Sequence, residues 1–385
     1  MKIAIVHDWL TGMRGGEKCL EVFCGIFPHA DLFTLLHIPD KVSPLIESMS
    51  IHTSFLQHLP FVKTRYRYYL PLMPMAVERL DLKGYDLVIS SSHCVAKGVR
   101  LDPQTVHICY CYTPMRYIWD QYDQYFKAGN SPKLTSFIMK LMVSGLRRWD
   151  VQSSKRVNRF IAISRHVQKR IKDYYNCESE VICPPVNTRF YAPTGEPSED
   201  YFLIVSAFAP YKRLDLAVEA FNKLGYPLKI VGEGQDSDRL RKIAGPNVRF
   251  LGRLSDVEVR SCYARCRAFV FPGEEDFGIT PLEAQAMGRP VIAFARGGAL
   301  ETVVPDRQTW TPETGVPEEQ TLRPTGVFFQ NQTPDELCAA IKHFVAIESR
   351  FDPASIRRHA LQFDLDIFTD RMRRFMSEQI LKLRC

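Results

Sequence analysis

No run in this 385-residue chain approaches the roughly 20 consecutive apolar residues needed to span a bilayer, which excludes a membrane-spanning helix. The opening Met1-Lys2-Ile3-Ala4-Ile5-Val6 reads as a strand and lacks the layout of a signal peptide, so a cytoplasmic chain is expected. The 11 cysteines form no CxxC pair: Cys109-x-Cys111 falls in a strand pattern, and Cys262 and Cys266 share one helix face. That spacing argues against structural zinc and for buried free thiols in a reducing compartment. Internal repeats and low-complexity tracts are missing, so a repeat architecture is excluded. A net charge of +7 is too small for a dedicated nucleic-acid binder, yet it suits nucleotides or an anionic phospholipid surface.

What is present is a long alternation of buried-strand and helix patterns. Strands are expected at Lys2 to His7, Asp31 to Leu36, Tyr85 to Ser91, Val106 to Tyr112 and Phe160 to Ser164. Cys183-Pro184-Pro185 then stops regular structure and marks a domain boundary. The alternation restarts with strands at Tyr201 to Ala207, Leu228 to Val231, Val248 to Leu251, Ala268 to Phe271 and Pro290 to Phe294. Such regularity predicts two parallel α/β domains, of the size this length supports.

The stretch Ala268 to Thr302 carries the clearest chemistry. A buried strand stops at Pro272-Gly273, and an acidic turn follows, Glu274-Glu275-Asp276-Phe277-Gly278. A short helix from Pro281 to Met287 comes next, with Gly288 just past its end. Helix-start amides near Phe277, Gly278 and Ile279 can donate to a diphosphate, helped by the helix dipole. Glu283 can accept from the vicinal hydroxyls of a ribose, and Glu275 would face whatever lies beyond the phosphates. The plainer alternative is an acidic helix start that only complements the dipole. Gly278 and the second glycine turn, Gly297-Gly298, favour a ligand loop.

Two further segments fit an anion site. Pro210-Tyr211-Lys212-Arg213 follows a strand and precedes a helix, so its two cations can neutralise a diphosphate; a solvated basic turn is the alternative. Near the N-terminus, Asp8 to Glu17 runs from a strand through Gly15-Gly16 into a helix from Glu17 to about Phe27. This segment is neither a Walker P-loop nor a full GxGxxG, which weakens nucleoside-triphosphate and dinucleotide readings. A tight turn that simply needs glycine competes with the ligand reading.

Glu275 to Glu283, with Pro-Tyr-Lys-Arg at 210–213 and Arg-Gly-Gly-Glu at 14–17, resembles the E-x7-E arrangement of retaining glycosyltransferases of family 4. The subset most resembled comprises mannosyltransferases of bacterial O-antigen and exopolysaccharide synthesis. The resemblance implies the GT-B fold: an α/β protein whose two Rossmann-like parallel-sheet domains face across a cleft. The domains implied are 1–185 for the acceptor, 186–360 for the nucleotide sugar, and a terminal helix, 361–385, returning to the first. It implies that Lys212 and Arg213 stabilise the departing diphosphate, Glu275 holds sugar hydroxyls, and Gly15-Gly16 closes over the phosphates. Arg253 then lies near the nucleotide base. Where related sequences carry histidine beneath the donor sugar this chain has Tyr112, with His93 and His7 at nearby strand ends as substitutes. No cofactor or catalytic metal is implied, and Asp364-x-Asp366 falls in a terminal helix, not at a strand end.

The implied reaction moves a hexose, mannose from GDP-mannose before any UDP-sugar, onto a polyprenyl-diphosphate-linked glycan. A GT-B epimerase and a non-catalytic sugar-nucleotide-binding subunit are the alternatives. Residues 54–80 interleave Tyr and Phe with Lys and Arg, which suits a peripheral site on an anionic membrane, a nucleic-acid stacking platform or a packed helix. The Arg147-Arg148-Trp149 cluster is a second such patch. Asp306 to Thr325 reads as an exposed loop, and Asp364 to Leu383 as a helix with Phe368, Met372 and Phe375 inward.

Overall fold

A computed structural model describes residues 1–116, 118–119, 133–306 and 323–384, with the backbone alone for 133–141 and 381–384. Most of the expected loop from Asp306 to Thr325 lies outside the described residues, as do Tyr117 and Asp120. The chain forms two compact units, Met1–Pro184 with Phe368–Cys385, and Pro185–Ile367.

The first unit is built on seven strands: β1 (Ile3–His7), β2 (Asp31–Thr34), β3 (Ser50–Thr53), β4 (Leu87–Ser92), β5 (Val106–Cys111), β6 (Arg159–Ala162) and β7 (Ser179–Val181). They lie in the order β3-β2-β1-β4-β5-β6-β7, and every neighbouring pair is parallel. β4 and β5 are buried along their whole length, as central parallel strands covered on both faces must be. The edge strands β3 and β7 escape the sequence pattern because they are short and carry polar residues. One core cluster runs from Val6 and Trp9 through Met73 and Val88 to Met115 and Leu146. Helix Leu365–Arg384 contributes Phe368, Met372 and Phe375, all buried, with Phe368 against the rings of Phe23 and Tyr110.

The second unit has six strands: β8 (Phe202–Val205), β9 (Leu228–Val231), β10 (Val248–Gly252), β11 (Ala268–Phe271), β12 (Val291–Phe294) and β13 (Gly326–Phe329). Their order is β10-β9-β8-β11-β12-β13, again parallel throughout. Local chemistry sets the helices between them. Ser255 and Glu258 form a capping box at Asp256–Arg265, Gly225 at φ 75° ends Leu214–Leu224, and Thr333 caps Pro334–Ile347.

In each sheet the winding reverses once, between β1 and β4 and between β8 and β11. Loops leaving the carboxyl ends of those neighbours diverge, and the opening between them is where open α/β sheets bind ligands.

Residues 54–80 form neither one packed helix nor a strand. They are a run of short turns and helices: Phe55–His58, Val62–Arg65, Tyr66–Leu72 and Met73–Glu78. Pro60, Pro71 and Pro74 interrupt any longer helix. Among the described residues ten cysteines are free, eight of them buried, with Cys177 and Cys183 partly exposed. Cys266 caps the helix that carries Cys262 and does not lie on its face.

Candidate functional site

In the second unit the sequence-marked residues gather at the β8/β11 reversal. The chain leaves β8, makes a turn at Pro210–Lys212, and passes through Arg213 at φ 53° into helix Leu214–Leu224. A left-handed arginine is uncommon, and here it turns Lys212 toward the loop that leaves β11. Lys212 Nζ pairs with Glu275, and both side chains are largely enclosed, at 14% and 20% exposure. Sixty-three positions apart in sequence, the cation and the carboxylate meet because β8 and β11 are neighbours.

Glycines bring these loops together. A Cβ at Gly297 or Gly298 would overlap the backbone of Glu275 and Phe277, and Gly298 N–H donates to the Glu275 carbonyl at 2.8 Å. Gly232 and Gly234 likewise leave no room for a Cβ beside Ser206 and Phe208. Gln332, just past β13, donates to the Pro272 carbonyl at 2.9 Å and accepts from Arg213 at 3.4 Å. Arg213 also reaches Asp215 at 3.3 Å, so its guanidinium is bound to protein on two sides.

Helix Ile279–Ala286 begins two residues earlier than the sequence pattern indicated, with Gly278 at its N-cap at φ 97°. Its first amides have no partner within the helix, the condition for anion binding at a helix start. Glu283 sits one turn in, buried, and accepts from the Tyr263 hydroxyl at 3.0 Å. The Tyr191 hydroxyl interacts with the same carboxylate. Burial, reinforced by Glu283, pushes the Tyr263 phenol well above its ordinary range, so it stays a donor. Arg253 is exposed just past the edge strand β10, whose Gly252 carbonyl accepts from Gly232 N–H at 2.8 Å.

Tyr263, Tyr191, Gln332 and the Gly232–Gly234 turn were not singled out as site residues from sequence. Each acts on the site through a partner far away in the chain, and no local motif marks them.

In the first unit, Gly15 and Gly16 are the first residues of helix Gly15–Ile26, not a loop before it. Neither has a positive φ, and a Cβ on Gly16 would meet His7 at an ordinary 3.7 Å. A tight turn is therefore not what requires them. Glu17 is buried, and its carboxylate accepts from Arg14 N–H at 3.1 Å. Burial opposes its ionisation, but His7, with Nε2 3.9 Å from the carboxylate, holds it below the usual carboxylate range.

Tyr112 is buried beneath this helix start. Its hydroxyl donates to the Gly16 carbonyl at 2.9 Å and lies 2.9 Å from Ser91 Oγ, which is 3.0 Å from His7 Nδ1. With the phenol proton spent on Gly16, the order is fixed: His7 N–H to Ser91, Ser91 O–H to Tyr112, Tyr112 O–H to Gly16. Burial, with Cys19 adding to it, raises the phenol well above its ordinary range. Tyr112 thus ties the helix start to β4.

The second basic patch is mostly spent on packing. Arg147 donates to the Ile118 carbonyl at 2.7 Å, and Trp149 donates to Glu78 at 2.8 Å, which leaves Arg148 exposed.

Comparison with known proteins agrees with this geometry. Residues 192–357 match the family described as "Glycosyl transferases group 1". The O-antigen chain mannosyltransferase RfbU of Salmonella typhimurium is 29% identical over 325 residues, covering 78% of this chain and 82% of that protein. A GDP-mannose-dependent alpha-mannosyltransferase of Mycolicibacterium smegmatis is 35% identical over 31% of each chain. The uncharacterized glycosyltransferase MJ1178 of Methanocaldococcus jannaschii is 26% identical over 44% of this chain and 49% of its own length. Among solved structures, Anabaena HepE in complex with UDP superposes with a TM-score of 0.67 at 16% identity, over 98% of this chain and 100% of that one.

Fold and family match together point to one class: the chain has the GT-B fold, and residues 192–357 are similar to group 1 glycosyl transferases. Within that class it is similar to bacterial mannosyltransferases, RfbU among them.

Proposed function

We propose that the chain is a retaining, metal-independent hexosyltransferase that moves mannose from GDP-mannose onto a lipid-linked glycan in cell-surface polysaccharide synthesis. The observation that carries this reading is the Lys212–Glu275 pair at the β8/β11 reversal, beside the open start of helix Ile279–Ala286. Lys212, with Arg213 behind it, supplies positive charge where a diphosphate gains negative charge on leaving, and the helix-start amides add donors. Glu275, freed from Lys212 when the diphosphate takes its place, turns to sugar hydroxyls. Glu283, held by Tyr263, accepts from the ribose. Gly15 and Gly16 leave the first turn of their helix bare, which suits approach by a phosphate. The mannosyltransferases among the relatives support mannose as the sugar, and the M. smegmatis protein supports guanine as the base.

No described helix is long and apolar enough to cross a membrane. Contact with the acceptor's membrane is assigned to residues 61–75, where Phe61, Tyr68, Leu72 and Met75 are exposed among Lys63, Arg65 and Arg67.

The test is nucleoside-diphosphate release from a panel of sugar nucleotides, with and without lipid-linked acceptor glycans, in the presence of EDTA. Release from GDP-mannose that rises with acceptor is expected, with an α-linked product by NMR. Lys212→Ala and Glu275→Ala should each lower turnover about 100- to 1,000-fold, the scale of removing one transition-state charge partner. Full turnover in either variant would overturn the assignment. Donor binding without release from any donor would favour the binding-subunit alternative.

A further inference from the structure

The mechanism above leaves unused a second constellation in the first unit, the pair formed by Asp8 and His93. Asp8 follows β1 and is fully buried. Its two oxygens accept the backbone N–H groups of His93, Cys94, Val95 and Ala96 at 2.7, 2.9, 2.6 and 2.8 Å. The His93 ring adds a fifth donor, with Nδ1 3.1 Å from Asp8 Oδ2. A carboxylate already taking four amides can only accept, so the imidazole proton is on Nδ1 and the Nε2 lone pair is left open. Nε2 has no hydrogen-bond partner among the described residues, and the His93 side chain is 25% exposed while its Asp8 anchor is sealed. Trp9 packs edge-on against the ring at 4.4 Å, and Tyr112 lies 6.3 Å away. The ring is thus fixed in tautomer and orientation at the carboxyl end of β4, at the β1/β4 reversal.

We propose that His93 Nε2 accepts a hydrogen bond from a sugar hydroxyl of the donor or the acceptor, with Asp8 as the residue that positions it. The inference rests on the glycosyltransferase reading. A positioned acceptor with an aromatic wall beside it is how a protein grips a sugar, whose hydroxyls donate and whose C–H face packs on rings. Besides Asp8, the charged and titratable groups around the imidazole are His7, Glu17 and Arg14. Burial lowers the His93 pKa from its ordinary 6.5, Asp8 acts against that shift, and His7 adds to it. The lone pair is therefore retained at neutral pH, and sugar binding weakens as pH falls through the lowered value.

Two variants separate the two ring nitrogens. His93→Asn keeps a donor toward Asp8 and removes the group at Nε2, whereas His93→Gln keeps an amide oxygen near the Nε2 position. Affinities for GDP-mannose and for methyl α-mannopyranoside are measured by NMR titration from pH 5 to 8, with thermal unfolding as the control for folding. His93→Asn should weaken one of the two ligands at least 10-fold at pH 7 without loss of thermal stability, and His93→Gln should recover most of that loss. Weakened GDP-mannose identifies the donor sugar as the source of the hydroxyl, and weakened mannoside identifies the acceptor. The wild-type decline in affinity toward pH 5 should disappear in His93→Gln. Wild-type affinity for both ligands in His93→Asn, with the acid decline intact, overturns the inference alone. A wild-type chain that binds neither ligand overturns the inference and the proposed function together.

Discussion

Single residues in this chain hold charge in two ways, and each can be tested by removing one atom or one proton. Tyr263 is completely buried and gives its hydroxyl to Glu283, so a phenol from one helix fixes the carboxylate of another. Tyr263→Phe keeps the ring packing and removes only that restraint. If Glu283 binds ribose equally in ground and transition states, KM for the donor should rise about 5- to 20-fold while kcat stays near wild type, the cost of about one hydrogen bond. Steady-state kinetics with varied donor checks this, and a fall in kcat at constant KM would place Glu283 elsewhere in the reaction. His107 behaves oppositely. It is fully buried on β5, with Nε2 2.8 Å from Ser90 Oγ and Nδ1 3.3 Å from the Arg156 carbonyl, and burial holds its pKa down to about 4. Between the ordinary 6.5 and about 4 the unfolded chain binds the proton and the folded chain does not. Stability contributed by neutral His107 is therefore complete above pH 6.5 and declines as pH falls toward 4, by about 3 kcal/mol in all at roughly 1.4 kcal/mol per pH unit. Urea midpoints at pH 7 and pH 4.5 should differ less in His107→Gln than in wild type, and equal differences would exclude His107 as the source.

At the scale of elements, the site is a set of loops braced by glycine-bearing turns. The turn after β12 touches the loop after β11 backbone to backbone, and any side chain on Gly298 would overlap Phe277. Gly298→Ala must push the Glu275-to-Phe277 segment away or open the turn itself. We expect a loss of at least about 2 kcal/mol in stability, and turnover reduced about as much as in Glu275→Ala. Gly145→Ala, in open space on a helix, is the control and should cost nothing measurable. The same element scale explains what was legible in sequence. Lys212, Glu275 and Glu283 stand out because each follows a buried strand and meets a helix start, a pattern contained within about ten residues. The central strands were legible because continuous apolar runs dictate them, whereas β3 and β7 are too short and polar to register. Tyr112 was legible as a candidate but not as a tie, since its partners Gly16 and Ser91 come from a helix start and from β4. Gln332 and Tyr263 were silent because only the sheet order brings them to the site.

For the molecule as a whole, the question is how a chain with a net charge of +7 and no described membrane-crossing helix would meet the lipid-linked acceptor proposed for it. Among the described residues, exposed large apolar side chains are scattered thinly, except between positions 61 and 75, where Phe61, Tyr68, Leu72 and Met75 occur together. Phe61 is the extreme case, 74% exposed on a backbone at φ 54°, and the Arg65 guanidinium lies 5.7 Å from its ring centre. A bulky aromatic held outward in a left-handed conformation gains nothing from the fold and would gain by entering an interface. The neighbouring Lys63, Arg65 and Arg67 would each add about 1 kcal/mol near an anionic surface, a contribution that salt screens. The full chain should therefore pellet with vesicles containing phosphatidylglycerol and remain in solution with phosphatidylcholine alone. Phe61→Ser with Tyr68→Ser should lower the partition coefficient about 10-fold at all salt concentrations, because the buried apolar area is lost. Lys63→Gln with Arg65→Gln should instead flatten the salt dependence and leave binding in high salt unchanged. Equal binding of wild type and both variants would remove 61–75 from the membrane contact and leave Arg148 and the exposed face of its helix as the surface to test. Because none of these substitutions touches Lys212, Glu275 or Glu283, release of nucleoside diphosphate with a water-soluble acceptor should stay at the wild-type rate, while transfer to lipid-linked acceptor in vesicles falls with the partition coefficient.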